Sequence, residues 1–272
     1  MTETLKTLRL CIIIPARIQS VRLPNKILLD LAGKPVVART YDSAKNLCDK
    51  INESALMNVS AEVRVVVDSQ ETADKLKPHG IDAIVQPDGN SGTDRAIKSV
   101  SQGEFDAVLV WQADWPLIAQ SHLLSLIEYS ANKWLTQDGI WTLAISKSTL
   151  EDSPIINNPN YVKVAIGRGD KVLYFSRAPI PYGYIGNRKM CNIHIGVYLI
   201  SAIEQVRYIN AQPPDTVATM EELEQLKYMS YGLPIWCLTN GSGYYNGIDT
   251  HADYRYYKTV YSRMADSNDL YD

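Results

Sequence analysis

The sequence has no run of apolar residues long enough to cross a membrane, no paired-cysteine motif and no strong charge of either sign. A bilayer-spanning helix needs about 20 consecutive apolar residues, and no stretch approaches that length. The four cysteines, Cys11, Cys48, Cys191 and Cys237, are scattered without a C-x-x-C pair, and Cys11 and Cys237 fall in apolar, strand-like runs. That pattern argues against a zinc site or a disulfide framework and for free thiols in a reducing compartment. The net charge is −3 and no basic face dominates, so no nucleic-acid partner is expected. The first seven residues carry no apolar core and no signal-cleavage pattern, which gives the expectation of a cytoplasmic protein without a membrane partner.

Several motifs are missing as well. No G-x-x-x-x-G-K-S/T loop occurs, which excludes a P-loop nucleotide hydrolase. No G-x-G-x-x-G follows the first strand-like run, which argues against a dinucleotide cofactor. There is no G-x-S-x-G elbow and no H-E-x-x-H helix. Of the four histidines, His79, His122 and His251 lie in helical or turn contexts, whereas His194 begins an apolar strand.

What remains is an ordinary globular composition, 46% hydrophobic and 21% charged over 272 residues, enough for a sizeable core. Apolar, β-branched runs at 11–14, 63–67, 81–85 and 107–111 alternate with helical patterns at 36–48, 71–76 and 94–100. This alternation predicts an α/β fold with a mostly parallel, doubly wound sheet. A helix over 123–134 and a strand over 139–145 continue it, while 52–61 reads as an exposed loop. The second half changes character. Residues 162–166 and 172–175 flank Gly167-Arg-Gly-Asp170 and predict a hairpin. A strand at 193–200, a helix at 220–231, a strand at 235–238 and a closing helix at 250–264 follow. No linker composition intervenes. One domain over 8–264 is expected, with helices on both sheet faces, a late antiparallel extension, and flexible termini at 1–7 and 265–272.

The chemistry-bearing residues gather where strands end. Cys11-Ile-Ile-Ile14 runs into Pro15, and the loop that follows carries Arg17, Arg22 and Lys26 with no acid before Asp30. Open α/β sheets bind phosphate-bearing ligands at such strand ends; a solvated basic loop is the plain alternative. Asp114 follows the apolar run 108–111 and so falls on the same sheet edge as Arg17. Asp249 stands where another apolar stretch meets a turn. Paired carboxylates with substrate phosphates suit Mg²⁺, while a helix cap explains either aspartate alone. Ser91-Gly92-Thr93 offers backbone N–H groups at a helix start, for a phosphate or simply as a cap. Arg177, His194, Tyr198, Glu224 and Gln225 form a last group, with Arg177 suited to a carboxylate and each member equally explicable as structural.

These segments, in order, resemble the CMP-sugar-acid synthetases. The opening Ile14-Pro-Ala-Arg17, Arg22-Leu-Pro-Asn-Lys26 and Leu31-Ala-Gly-Lys-Pro35 resemble that family's N-terminal signature. Ser91-Gly-Thr-Asp-Arg95, Gln112-Ala-Asp-Trp-Pro-Leu-Ile118, Asn158-Pro-Asn-Tyr-Val-Lys-Val164 and Tyr174-Phe-Ser-Arg-Ala-Pro-Ile180 continue the likeness. So do His194-Ile-Gly-Val-Tyr198, Leu223-Glu-Gln-Leu226 and Gly247-Ile-Asp-Thr250, over about 9–260 in all. The continuation is most similar to the branch acting on 3-deoxy-manno-octulosonate (Kdo). The resemblance implies a nucleotide-diphospho-sugar transferase-like fold, a homodimer, and Mg²⁺-dependent joining of CTP to a 2-keto sugar acid. It implies nucleotide contacts from Pro15, Ala16, Arg17, Lys26, Ser91, Gly92 and Gln112, and metal binding by Asp114 and Asp249. Arg17, Lys26, Asp114 and Asp249 would be the catalytic set. Gln112, Arg177, His194, Tyr198, Glu224 and Gln225 would face the sugar.

The chain also departs from that pattern. Asn25 and Ile27 flank Lys26 where relatives usually carry glycine and proline. Ala113 and Trp115 flank Asp114 in place of glycine and, commonly, glutamate, and the usual D-T-P-E-D ending reads Asp249-Thr-His-Ala-Asp253. Trp115 beside the metal aspartate is expected to reshape the sugar pocket.

Overall fold

In a computed structural model the protein is described over residues 6–18, 22–54, 58–134, 136–148, 153–183, 190–239 and 247–267. The first strand, β1 (Leu8–Ala16), is buried without a break from Leu10 onward. Burial on both faces is what a central parallel strand requires. A two-residue hairpin, β2 (Asp30–Leu31) and β3 (Lys34–Pro35), leads into α1 (Val36–Glu53). Then come β4 (Val59–Val67), α2 (Gln70–Leu76), β5 (Ile84–Val85), α3 (Gly92–Lys98) and β6 (Ala107–Trp111). β1 pairs in parallel with β4 on one side and β6 on the other, and β5 extends β4 in parallel.

The second half comprises α4 (Gln120–Ala131), β7 (Ile140–Ser148), α5 (Ser153–Ile156), β8 (Lys163–Ile166), β9 (Val172–Ser176) and β10 (Met190–Ile200). It closes with α6 (Ile203–Asn210), α7 (Thr216–Glu221), α8 (Glu224–Ser230), β11 (Ile235–Thr239) and α9 (His251–Ser267). The sheet runs β11-β7-β10-β6-β1-β4-β5, with β8 and β9 branching from β10. β10 is antiparallel to both neighbours, so one reversed strand lies inside the sheet and carries His194 and Tyr198 toward the edge where β6 ends.

Side-chain alternation along the strands builds the layers. Leu10, Ile12 and Ile14 pack on one face with Val37, Ala44 and Leu47 of α1 and Leu123, Leu126 and Ile127 of α4. Cys11 and Ile13 face the other way, against Ala96 and Ile97 of α3, Val206 and Ile209 of α6, and Leu226 of α8. Both faces of the sheet are therefore covered, as expected for parallel strands. A third cluster joins Leu23, Leu31 and Val36 to Ile248, Tyr257 and Tyr261, so α9 clamps the basic loop from outside.

Several expectations are corrected. α1 continues to Glu53 and β4 starts at Val59, so much of the expected loop is ordered. Asn52 explains part of this, since its side chain accepts from Ala61 N at 2.8 Å and donates to Ala61 O at 2.9 Å. The pattern at 81–85 yields only the two paired residues of β5. α6 was not anticipated. The helix expected at 220–231 is two helices, α7 and α8, broken where Glu222 takes a left-handed conformation at φ 51°. The closing helix runs on to Ser267, while 1–5 and 268–272, part of the expected flexible termini, lie outside the described residues. The Tyr244-Tyr-Asn246 stretch before Asp249 lies outside them too.

Candidate active site

Two adjoining cavities open at the C-terminal ends of β1 and β6. The first, about 410 Å³, is lined by Pro15, Ala16, Arg17, Arg22, Lys26, Gly92, Arg95, Gln112, Asp114 and Asp249, among others. The second, about 350 Å³, is lined by Ser91, Trp115, Asn160, Arg177, His194, Tyr198, Glu224 and Gln225, among others. Arg22, Glu222 and Asp249 line both, which makes them the boundary between the two. Every site residue anticipated from sequence lines one or the other cavity, and the two volumes are those of small-molecule sites.

The basic loop is set by its backbone. Asn25 is left-handed at φ 54°, and asparagine is among the few non-glycine residues that tolerate this region. That accounts for its standing where relatives carry glycine. Leu23 and Ile27 are buried and pin the loop on either side. Lys26 is thereby turned inward. Its ammonium bonds Asp114 Oδ2 and lies 3.0 Å from Asp249 Oδ1. Burial pushes the Lys26 amine down, but the two carboxylates outweigh it and raise the group above its ordinary value. Arg22 Nη2 reaches the same Asp249 Oδ1 at 3.1 Å, and its Nη1 donates to Asn160 Oδ1 at 2.8 Å. Arg17 is exposed at the mouth and makes no ion pair among the described residues.

Asp114 and Asp249 are far apart in the sequence, yet Ile248 N donates to Asp114 O at 2.9 Å and fixes one beside the other. Neither acts as a plain helix cap. At the start of α9, Asp253 accepts from Thr250 N at 2.7 Å, so Asp249 is left facing the cavity. Among the described residues no group of three or more His, Cys, Asp or Glu side chains could hold a metal unaided. Two converging carboxylates beside a cavity lined by Arg17, Arg22 and Arg95 are, however, the set Mg²⁺ takes together with substrate phosphates and water.

Gly92 opens the floor of the first cavity. A Cβ there would fall 2.9 Å from Gln112 Oε1 and 3.3 Å from Pro15 Cγ. Ser91 Oγ caps α3 by accepting from Asp94 N at 3.0 Å. Arg95, not singled out from the sequence, also lines this cavity, with its Nε donating to Gln86 O at 2.9 Å. Its only signal was membership of the Ser91–Arg95 segment.

In the second cavity His194 is buried, and burial alone drives its imidazole down to about 3. The Thr142 hydroxyl lies 2.6 Å from Val197 O and 2.8 Å from His194 Nε2. The threonine proton goes to the carbonyl, so His194 donates from Nε2 and Nδ1 keeps its lone pair. Tyr198 OH donates to Gln225 Oε1 at 3.3 Å. Burial raises Glu224, although Ser91 and Thr93 hydrogen-bond it, and its Oε2 is buried without a hydrogen-bond partner among the described residues. Arg177 is more committed than expected. Nε donates to Glu221 O at 2.6 Å, Nη1 to Pro159 O at 3.0 Å and Nη2 to Glu222 O at 3.1 Å. Three of its five N–H groups therefore hold the α7–α8 turn against the 158–160 segment.

A family model described as cytidylyltransferase matches residues 11–235, well over half of the chain. The protein belongs to the cytidylyltransferase family. Similar curated relatives are the 3-deoxy-manno-octulosonate cytidylyltransferases of Chloroherpeton thalassium and Acidobacterium capsulatum. They are 33% and 32% identical, over 93% and 89% of this chain and 97% and 92% of theirs. A solved structure of CMP:2-keto-3-deoxy-manno-octonic acid synthetase complexed with CTP is 29% identical. It superposes with a TM-score of 0.77 and covers 95% of this chain and 99% of that one. An inositol-1-phosphate CTP transferase from T. maritima, 15% identical with a TM-score of 0.61 over 97% of this chain and 96% of that one, shares the fold. The chain is thus a nucleotidyltransferase built on the fold that this cytidylyltransferase family uses.

Proposed function

We propose that this cytidylyltransferase transfers CMP from CTP to the anomeric hydroxyl of a 2-keto sugar acid, Kdo or a close relative, and releases pyrophosphate. The observation that carries the reading is the pairing of the two cavities. One is lined by Arg17, Arg22, Lys26 and Arg95, the other by hydrogen-bonding groups, and they meet at Asp249. The Kdo cytidylyltransferases among its relatives, and the CTP complex of a structural neighbour, support the choice of substrates.

In this reading the backbone at Pro15–Arg17 and Ser91–Gly92 and the Gln112 amide hold the nucleotide. Arg17, Arg22 and Lys26 neutralise the triphosphate and the charge that grows on the leaving pyrophosphate. Asp114 and Asp249 hold Mg²⁺. When bound, the metal supplies Lewis-acid polarisation of the phosphoryl oxygens and lowers the pKa of the attacking hydroxyl. The anomeric oxygen forms a bond to the α-phosphorus as the α–β bridging P–O bond breaks, and the hydroxyl proton passes to solvent. His194, uncharged at neutral pH, accepts from a sugar hydroxyl at Nδ1, and Gln225 Nε2 and Glu224 meet others. The remaining Arg177 N–H groups face the acid's carboxylate. The product is an activated sugar for surface polysaccharide assembly, made in the cytoplasm.

Pyrophosphate release measured with CTP and a panel of 2-keto sugar acids tests this directly. Turnover is expected with Kdo or a close eight- or nine-carbon acid and none with sugar 1-phosphates. Turnover of a sugar 1-phosphate alone refutes the acceptor class.

A further inference from the structure

Trp115 follows Asp114 and is the large aromatic side chain of the acceptor cavity that stands next to the metal-site carboxylates. Its backbone is fixed. Trp115 N donates to Gln112 O at 3.1 Å, and its carbonyl accepts from Trp111 Nε1 at 2.8 Å. The indole is half-buried and lies across two glycines from distant parts of the chain. At Gly247 a Cβ would stand 2.5 Å from Trp115 Nε1, so the ring's seat demands glycine there. At Gly196, beside the register shift of β10 between Ile195 and Tyr198, a Cβ would meet the ring at 3.5 Å. The ring therefore fills the space between β10 and the segment carrying Asp249. The Nε1 edge of the ring is the part turned toward these two glycines.

We propose that Trp115 determines acceptor specificity: its indole is the apolar wall against which a deoxygenated face of the sugar acid packs. The inference rests on the cytidylyl-transfer reading and deepens it. The surrounding groups leave the wall a distinct task. His194, Tyr198, Glu224 and Gln225 supply polar groups to the cavity, and Arg22 and Asp249 mark its border with the first cavity. A C–H face loses nothing by leaving water for an indole. A hydroxyl in the same place loses its hydration without a partner, so the wall favours a 3-deoxy acid over its 3-hydroxylated counterpart.

The test is steady-state kinetics of wild type, Trp115→Phe and Trp115→Ala, with CTP and acceptor varied separately and both acids compared. Trp115→Ala is expected to raise the KM for the deoxy acid about tenfold or more, with the KM for CTP unchanged. Its preference for the deoxy over the hydroxylated acid should shrink by a similar factor. Trp115→Phe, which keeps an aromatic face, should fall between the two. Calorimetry of the acceptor in the presence of a non-hydrolysable CTP analogue should show the same order of affinities. If Trp115→Ala lowers kcat or raises the KM for CTP while the acceptor KM and the preference stay at wild-type values, the ring only braces Asp114 and Asp249, and the proposal is wrong. A wild type that turns over sugar acids separates that failure from failure of the cytidylyl-transfer reading. A wild type inactive with every acid overturns both.

Discussion

Lys26 is best understood through the two carboxylates it lies between. Asp114 and Asp249 are only partly exposed, and without a cation beside them each would repel the other. The Lys26 ammonium offsets this, which is why its amine is held above its ordinary value despite burial. Asp114→Asn keeps the shape and removes one charge. Its circular dichroism should match wild type while turnover falls by about 10²–10³-fold or more; near-normal turnover would remove Asp114 from the metal site. His194 gives a second test, on stability. Its folded pKa of about 3 lies below the ordinary 6.5, so the unfolded chain takes up a proton that the folded chain refuses. The contribution is fully present above pH 6.5 and is lost as pH falls toward 3, by up to about 1.4 kcal/mol per unit. Denaturant midpoints measured between pH 7 and 5 should therefore drop for wild type, and His194→Asn should flatten that dependence.

The α7–α8 junction shows what an element boundary does for the site. A single helix over 220–231 would carry Glu224 and Gln225 at a different angle. The left-handed residue at Glu222 stops α7 and restarts the chain as α8. Arg177 holds the turn through the carbonyls of Glu221 and Glu222, and Thr93 donates to Glu224 across from α3. A non-glycine residue at φ 51° stores strain of about 1 kcal/mol. Glu222→Gly should therefore raise the unfolding midpoint modestly, and a lower midpoint would show that the Glu222 side chain has a stabilising partner. No sequence signal foretold this break. Met220, Leu223 and Leu226 keep helical spacing across it, and left-handed glutamate has no signature. Strongly patterned elements were legible, because β1, β6 and α1 bury stripes that only one secondary structure satisfies. The strand at 81–85 reads too long at its start, since its apolar residues extend beyond the two that pair, and α6 gave no pattern that set it apart.

Taken whole, the molecule brings residues 15–18, 22–26, 112–115 and 247–249 to one sheet edge, and the parallel strand order made that edge foreseeable. The ordered motifs named the residues. What the sequence left open was their division of labour: Arg22 stands at the boundary of the two cavities, and Arg177 is largely spent on backbone carbonyls. Because CTP binds only the folded chain in this account, CTP with Mg²⁺ should raise the thermal midpoint, by the equivalent of about 2.7 kcal/mol at a hundredfold excess over Kd. A chelator should abolish most of that gain, and an equal shift without metal would argue against the Asp114–Asp249 site. The homodimer that the resemblance implies would be seen in sedimentation as twice the chain mass, and the mass of a single chain would exclude it. The central claim is best tested by identifying the product made from CTP, Mg²⁺ and Kdo by mass spectrometry. The account predicts a CMP–sugar acid ester with one pyrophosphate for each CTP consumed. CTP left intact with Kdo and with every related 2-keto acid would contradict it.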